Sequence, residues 1–310
     1  MQKLSLFQKW IMFGLLSAIL LLTGALIWTT MAGDPEEPPG PVETGPAGIT
    51  ASPLPTEAAT AEPTPIPATD SPPPTPSPGP TPSPVPGVPQ NPPAAAPGEH
   101  QRIVALTFDD GPDVATTRLL DALRERNVQA TFFVIGKHIQ RYPEILIRTA
   151  GEGHEIGNHT MSHKFFSNIS MDTMRKEVSD CSDLIEELIG VRPTLFRAPG
   201  GDISSKHFPE LERLGLASIF WWVDPQDWRH VGNKEAILAA AFCEDDSNYR
   251  IRDGAIILLH DIYESSVDAA IAMMDKLIAD GYRIVTVTEL LDTRKGGVTP
   301  GKHYLEGFPG

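Results

Sequence analysis

Three stretches of different hydrophobic texture follow one another along the chain. Residues 10–28 are uncharged and mostly apolar for 19 positions. As a helix rising about 1.5 Å per residue this run is roughly 28 Å long, the span of a bilayer core. Across residues 33–97 no apolar period is sustained. After Gly98, short apolar runs alternate with stretches that carry Leu, Ile or Val at helical spacing.

That alternation predicts a series of elements. Strand patterns cover 103–108, 130–135, 154–157, 194–197, 217–223, 255–259 and 283–287. Helical patterns cover 116–126, 142–151, 171–189, 208–214, 233–243 and 267–280. The helix over 171–189 is the clearest, with Gly190 placed to cap its C-terminus. Seven or so β/α repeats favour a parallel sheet with outer helices, and a distorted (β/α) barrel more than an open sheet.

Composition sharpens the division. Between Asp34 and Glu99 stand 23 of the 31 prolines. Each proline removes a backbone donor and fixes φ, so no packed domain uses them at that density. The reading is a cytoplasmic stub and transmembrane anchor over 1–32, a disordered Pro/Thr-rich linker over 33–99, a folded domain over 100–292, and a flexible Gly-rich tail over 293–310. Lys3 and Lys9 before the apolar run, and Asp34, Glu36 and Glu37 after it, put the N-terminus inside and the rest outside the cytoplasm. A cleaved signal peptide is the competing reading, with Thr30-Met31-Ala32 as a weak cleavage site; the domain is then secreted. In extended polyproline II the linker reaches on the order of 200 Å at most.

The net charge is −15, and eight acids without one Lys or Arg lie in the linker. The folded part stays acidic, which argues against a nucleic-acid partner. The two cysteines, Cys181 and Cys243, rule out a disulfide scaffold. They are either packed thiols or one pair.

Reactive residues cluster just after the strand patterns. Asp109-Asp110 follows the first; His159 and His163 follow the third; Arg197 ends the fourth; Asp224 and Asp227 follow the fifth; His260 follows the sixth. Charged groups at strand ends are costly unless paired or ligated. Adjacent carboxylates in an extended segment point in opposite directions, so either one can ligate a metal while the other is free as a base, or the pair is a helix N-cap with an acidic first turn. His159 and His163, four apart, share one face of a helical turn. With one Asp they make a two-His, one-carboxylate set of the kind used by zinc hydrolases and by non-haem iron oxygenases. His260 after an apolar strand is a structural hydrogen-bonder or a general acid. Asp224 or Asp227 can hold its imidazole, Trp228 can pack on it, and Arg197 can keep a base carboxylate ionised.

Taken together, Thr107-Phe108-Asp109-Asp110, His159-Thr160-Met161-Ser162-His163, Arg197-Ala198-Pro199-Gly200-Gly201, Asp224-Pro225-Gln226-Asp227-Trp228 and Leu258-Leu259-His260 resemble, in order, the five motifs of the polysaccharide deacetylases of carbohydrate esterase family 4, the NodB-homology domain. The resemblance runs from about residue 103 to 291. It implies a distorted (β/α) barrel and a divalent metal, by default zinc, otherwise cobalt, nickel or manganese. Asp110, His159 and His163 would bind it. Asp109 would be the general base, held by Arg197. His260 would be the general acid, tuned by Asp227 with Trp228 beside it. The backbone N–H of Gly200 would stabilise the oxyanion.

The implied reaction is removal of N-acetyl groups from amino sugars of a cell-envelope polysaccharide, foremost peptidoglycan, by a monomer. The alternatives are an O-acetyl esterase on xylan, a chitooligosaccharide deacetylase, a silent wall-binding module, and an iron oxygenase. The module is disfavoured because Asp109, Asp110, His159, His163 and His260 are all present. The oxygenase is disfavoured by Asp109, Asp227 and His260. One position departs from the pattern: many relatives carry Tyr where this chain has Gly200. Phe165, Phe166, Trp221 or Trp222 is then a candidate to supply the missing ring, with Phe165 and Phe166 flanking the groove and the two tryptophans read as core or strand-edge residues.

Overall fold

The computed structural model describes residues 86–96, 99–243 and 251–308. The apolar run over 10–28 and the linker up to residue 85 lie outside the described residues. Among the described residues no helix is long and apolar enough to cross a membrane.

Eight strands form one parallel sheet around β1, Ile103–Asp109. β1 is buried along its whole length, as expected of a strand covered on both faces. β2, Thr131–Val134, β3, Glu155–Asn158, β4, Leu195–Phe196, and β5, Ala217–Ile219, follow on one side. β6, Ile256–His260, pairs with the other side of β1, and β7, Arg283–Val285, pairs with its first residues. The sheet curls. Beyond β5, Val223 bridges Ile257 of β6, with Leu258 N donating to the Val223 carbonyl at 2.9 Å. The architecture fits the distorted barrel expected from the repeats.

Alternation along the strands sorts the side chains. Val104, Leu106 and Phe108 pack with Leu119, Leu120 and Leu123 of α1, Val114–Glu125, and with Met273 and Leu277. Ile103 and Ala105 face the other way and pack with Phe133, Leu195, Ala217, Ile219 and Ile256. The inner row of β1 therefore continues 103, 105, 107, 109. The inner row of β4 runs Leu195 to Arg197, and that of β6 runs Ile256, Leu258, His260. Period 2 alone delivers Asp109, Arg197 and His260 to one end of one interior.

The remaining helices are α2, Gly136–Arg141, α3, Pro143–Gly151, α4, Met171–Ile189, α5, Phe208–Arg213, α6, Lys234–Ala241, α7, Glu264–Ala279, and α8, Val287–Lys295; Met273 and Leu277 belong to α7. On α4, Ser170 accepts from Thr173 N at the start, and Gly190 takes the left-handed conformation at the end, the geometry that glycine adopts without a Cβ penalty.

Three expectations are corrected. The strand read over 283–287 stops at Val285, because Thr286 caps α8 by accepting from Glu289 N, a cap signature at the required spacing. Within the segment read as a tail from residue 293, α8 runs to Lys295, and β8, His303–Tyr304, pairs with β5. Gly307 N then donates to Gly254 O at 2.7 Å. At the other boundary, residues 86–96 pack on the domain rather than standing apart: the Asn91 side chain donates to the Ile284 carbonyl and accepts from Ile284 N, both at 2.8 Å. Cys181 is buried and Cys243 exposed, and both are free thiols.

Candidate active site

Arg197 is fully buried and every part of its guanidinium is used. Nη1 donates to Asp109 Oδ1 at 2.7 Å and to Thr107 Oγ1 at 2.8 Å. Nε donates to the Ile219 carbonyl at 3.2 Å and Nη2 to the Phe220 carbonyl at 2.9 Å. The Phe133 ring lies under it at 4.1 Å. A buried guanidinium needs this degree of compensation, and its Nη1 bond in return holds Oδ1 of the Asp109 carboxylate.

The carbonyl of Arg197 accepts from His159 Nδ1 at 2.7 Å. That bond sets the tautomer, so Nε2 presents its lone pair to the pocket. His159 Nε2 stands 3.5 Å, and His163 Nε2 3.3 Å, from Asp110 Oδ1. Asp110 Oδ1 is buried and accepts no hydrogen bond. One ligand atom from each of the three residues lies within 4.8 Å of the others. Donors held at about 2.1 Å around a tetrahedral zinc are roughly 3.4 Å apart, so this set fits a divalent ion: two imidazole nitrogens and a bare carboxylate oxygen at ligand spacing.

The two histidines do not meet on a helical turn, as the spacing had implied. Residues 159–163 form an irregular loop in which Thr160 (φ 70°) and His163 (φ 56°) are left-handed. Glu177 of α4 braces it: Oε2 accepts from Ser162 N and Oε1 from Ser162 Oγ, both at 2.7 Å. Nor do the adjacent carboxylates point apart. Asp110 has φ 75°, which breaks the strand alternation and swings its side chain toward the same pocket. Asp109 Oδ2 is 3.8 Å from His159 Nε2. His138 Nδ1 holds the turned backbone by donating to the Asp110 carbonyl at 2.6 Å.

Across the pocket, His260 is the β6 partner of Asp109 in the β1–β6 register. Its Nδ1 donates to Asp227 Oδ1 and its backbone N to Asp227 Oδ2, both at 2.8 Å. Of the two acids in that segment, Asp227 is thus the partner; Asp224 lines the pocket and accepts from Gln226 N. Burial opposes protonation of His260, but Asp227, and behind it Asp109 and Asp110, push its pKa up to about 9. Burial also opposes ionisation of Asp110, yet the imidazoles of His159, His260 and His163 outweigh it and hold that carboxyl well below the ordinary range.

These residues line a pocket of about 350 Å³ together with Phe165, Gly200, Trp221, Trp228, Leu258 and Tyr263. Trp228 is 45% exposed and carries Arg229 on its face at 4.6 Å. Of the four aromatic candidates, Phe165 and Trp221 reach the pocket. Phe166 does not flank the groove: it is buried against Phe196. Trp222 packs edge-on to Phe308 beneath Arg252. Four contributors were missed by sequence reasoning. Thr107 lies mid-strand with nothing local to mark it, Tyr263 stands three residues after His260 outside any motif, His138 lies on a short helix that no apolar period announces, and Asp261 is the immediate neighbour of the stronger candidate His260. Asp261 is buried, bonds Thr116 Oγ1 at 2.5 Å and packs on Gly111, where a Cβ would approach it to 2.4 Å. It ties the β6 end to the loop that follows Asp110.

An arrangement with one fixed carboxylate, one protonated imidazole and a metal-ready set between them can move protons in opposite senses across a single substrate bond. The comparisons point the same way. The sequence profile of the polysaccharide deacetylase family matches residues 97–219. The peptidoglycan-N-acetylmuramic acid deacetylase PdaC of Bacillus subtilis is 42% identical over 197 residues, 63% of this chain and 40% of the relative; the chain thus spans less than half of that protein. A peptidoglycan-N-acetylglucosamine deacetylase of Bacillus cereus is 37% identical over 62% of this chain and 89% of the relative. A family 4 acetyl xylan esterase from Clostridium thermocellum, solved in complex with a cobalt ion, superposes with a TM-score of 0.60 at 34% identity, covering 66% of this chain and 98% of that one. The chain therefore belongs to the polysaccharide deacetylase family.

Proposed function

We propose that this protein removes N-acetyl groups from the amino sugars of peptidoglycan, releasing acetate, with a divalent metal, by default zinc, at Asp110, His159 and His163. The observation that carries the reading is the pair of buried ion contacts flanking that set: Arg197 on Asp109 at 2.7 Å and Asp227 on His260 at 2.8 Å. Both curated relatives named above act on peptidoglycan amino sugars.

When bound, the metal lowers the pKa of a water and polarises the acetyl carbonyl. Asp109, held by Arg197, takes a proton from the attacking water as its oxygen bonds to the acetyl carbon. The Gly200 N–H, on the loop after Pro199, donates to the oxygen on which charge develops. His260, its Nδ1 occupied by Asp227, presents Nε2 and gives its proton to the sugar nitrogen as the C–N bond breaks. Acetate and a free amine result. Trp228, Trp221 and Tyr263 shape the pocket for the sugar.

Anchoring through residues 10–28, with the domain outside the cytoplasm and working as a monomer, belongs to the same reading and rests on the apolar run, its flanking charges and the Pro-rich spacer. A second reading, O-acetyl ester hydrolysis on xylan, has the similarity to the acetyl xylan esterase in its favour. The test is release of acetate and free amine from purified peptidoglycan, with zinc, with chelator and with Asp109→Asn. Equal acetate and amine, lost on chelation and in the variant, is expected. Acetate from acetylated xylan without amine from peptidoglycan establishes the ester reading instead.

A further inference from the structure

Gly200 has φ 58° and no side chain, and a Cβ built there would come within 2.5 Å of Phe165 Cε1. The space that any residue at 200 would need is therefore taken by a ring from a different loop. That ring is not collapsed into the core: Phe165 is 43% exposed and lines the pocket. Its position is set from both sides. The edge of the ring pair with His163 lies at 5.8 Å and 83°. The following residue, Phe166, is buried and stacks on Phe196 at 5.6 Å. Ser167 N donates to Asp202 Oδ2 at 2.7 Å, which binds the Phe165 loop to the loop that carries Gly200. An exposed aromatic on a loop anchored at its next two residues, beside a metal-ready set, offers a surface for an apolar ring face.

We propose that Phe165 is a specificity-determining residue of this site: it packs against the pyranose ring that bears the acetamide, from the His163 side, and positions 165 and 200 form an exclusive pair of which only one carries the ring. This rests on the deacetylase reading above.

The 310-residue chain is compared with Phe165→Ala, Gly200→Tyr and the double variant, using soluble N-acetylglucosamine oligomers and muropeptides as probes. For Phe165→Ala the expected result is a KM raised about tenfold, the loss of one buried aromatic contact, with most of the effect in KM rather than kcat. Zinc affinity and melting temperature stay at wild-type values, since the residue is neither a ligand nor core. Gly200→Tyr alone is expected to lose activity steeply, because its Cβ meets Phe165. In the Phe165→Ala background the same substitution recovers at least about tenfold, the non-additivity of residues in direct contact. A KM within about twofold of wild type for Phe165→Ala, or equal effects of Gly200→Tyr in both backgrounds, overturns the pair. These outcomes are separable from failure of the deacetylase reading: there the wild-type chain itself frees no amine from either probe, and both proposals fall.

Discussion

Asp227 engages His260 with both of its oxygens, Oδ1 on the ring Nδ1 and Oδ2 on the backbone N, each at 2.8 Å. One carboxylate thus fixes the ring's tautomer and the height of the strand end that carries it. The ring therefore cannot turn its Nε2 away from the pocket without breaking its bond to the buried Asp227 carboxylate.

That pairing predicts a pH dependence. The raised pKa keeps His260 protonated up to about 9, so an acid is available at neutral pH and is lost as pH rises through that value. Asp227→Asn removes a cause of the raised value. The alkaline limb of kcat/KM is expected to move down by about one unit or more, with a lower maximum. A limb that stays in place in a folded, metal-loaded variant would show that His260 is not the acid.

The buried Arg197–Asp109 pair predicts an effect on stability as well as on activity. Arg197→Met strips Asp109 of its buried partner and leaves the Ile219 and Phe220 carbonyls without their donor. Breaking a buried pair by removing one member costs about 3–5 kcal/mol, or on the order of 10 °C for a domain of this size. Thermal melts check the first effect and acetate release the second. A melting temperature within about 2 °C of wild type would be incompatible with the assigned pairing.

The metal set predicts its own titration. Wild-type chain is expected to take up one zinc or cobalt per molecule, and His159→Ala, His163→Ala and Asp110→Asn to lose it. His138→Phe, which leaves the ligands but removes the bond to the Asp110 carbonyl, is expected to weaken metal binding about 10- to 100-fold, as loss of outer partners does. Equilibrium dialysis reads all four. Unchanged affinity in His138→Phe would reduce that histidine to a bystander.

Far from the site, His154 is buried, and its pKa is lowered to about 4 by burial and then by the charge of Arg148. A histidine that stays neutral in the fold but is protonated at its ordinary value when unfolded makes the unfolded chain bind more protons between about 6.5 and 4. Stability contributed by this group is present above about 6.5 and is lost as pH falls, by about 3 kcal/mol in all. His154→Gln is expected to flatten that part of the stability curve. Denaturant melts at pH 7 and pH 5 decide it; an equal fall in both proteins would assign the loss to other groups.

Most of the strands and helices were legible because their physics is local. Residues 103–108 are apolar without interruption, and 171–189 repeats at helical spacing between a serine cap and Gly190. The reactive residues were legible too, since charges at the ends of apolar strands stand out against their surroundings. What the pattern could not convey is how neighbouring residues turn. Strand alternation sends Asp109 and Asp110 apart; the left-handed backbone of Asp110 brings them together. Helical spacing joins His159 and His163 on one face; an irregular loop braced by Glu177 joins them another way. Both depend on contacts made by residues distant in sequence, His138 to Asp110 and Glu177 to Ser162.

By itself, then, the sequence determined the order of elements, the interior rows that end in Asp109, Arg197 and His260, and the chemical kinds of group at the strand ends, because period and residue type act over a few positions. Tertiary structure alone decided that Asp227 rather than Asp224 holds His260, that Phe165 rather than Phe166 stands over Gly200, and that residues 303–304 return to the sheet beside β5. Each of those is a choice between near-equivalent neighbours, made by packing against surfaces that no local pattern encodes.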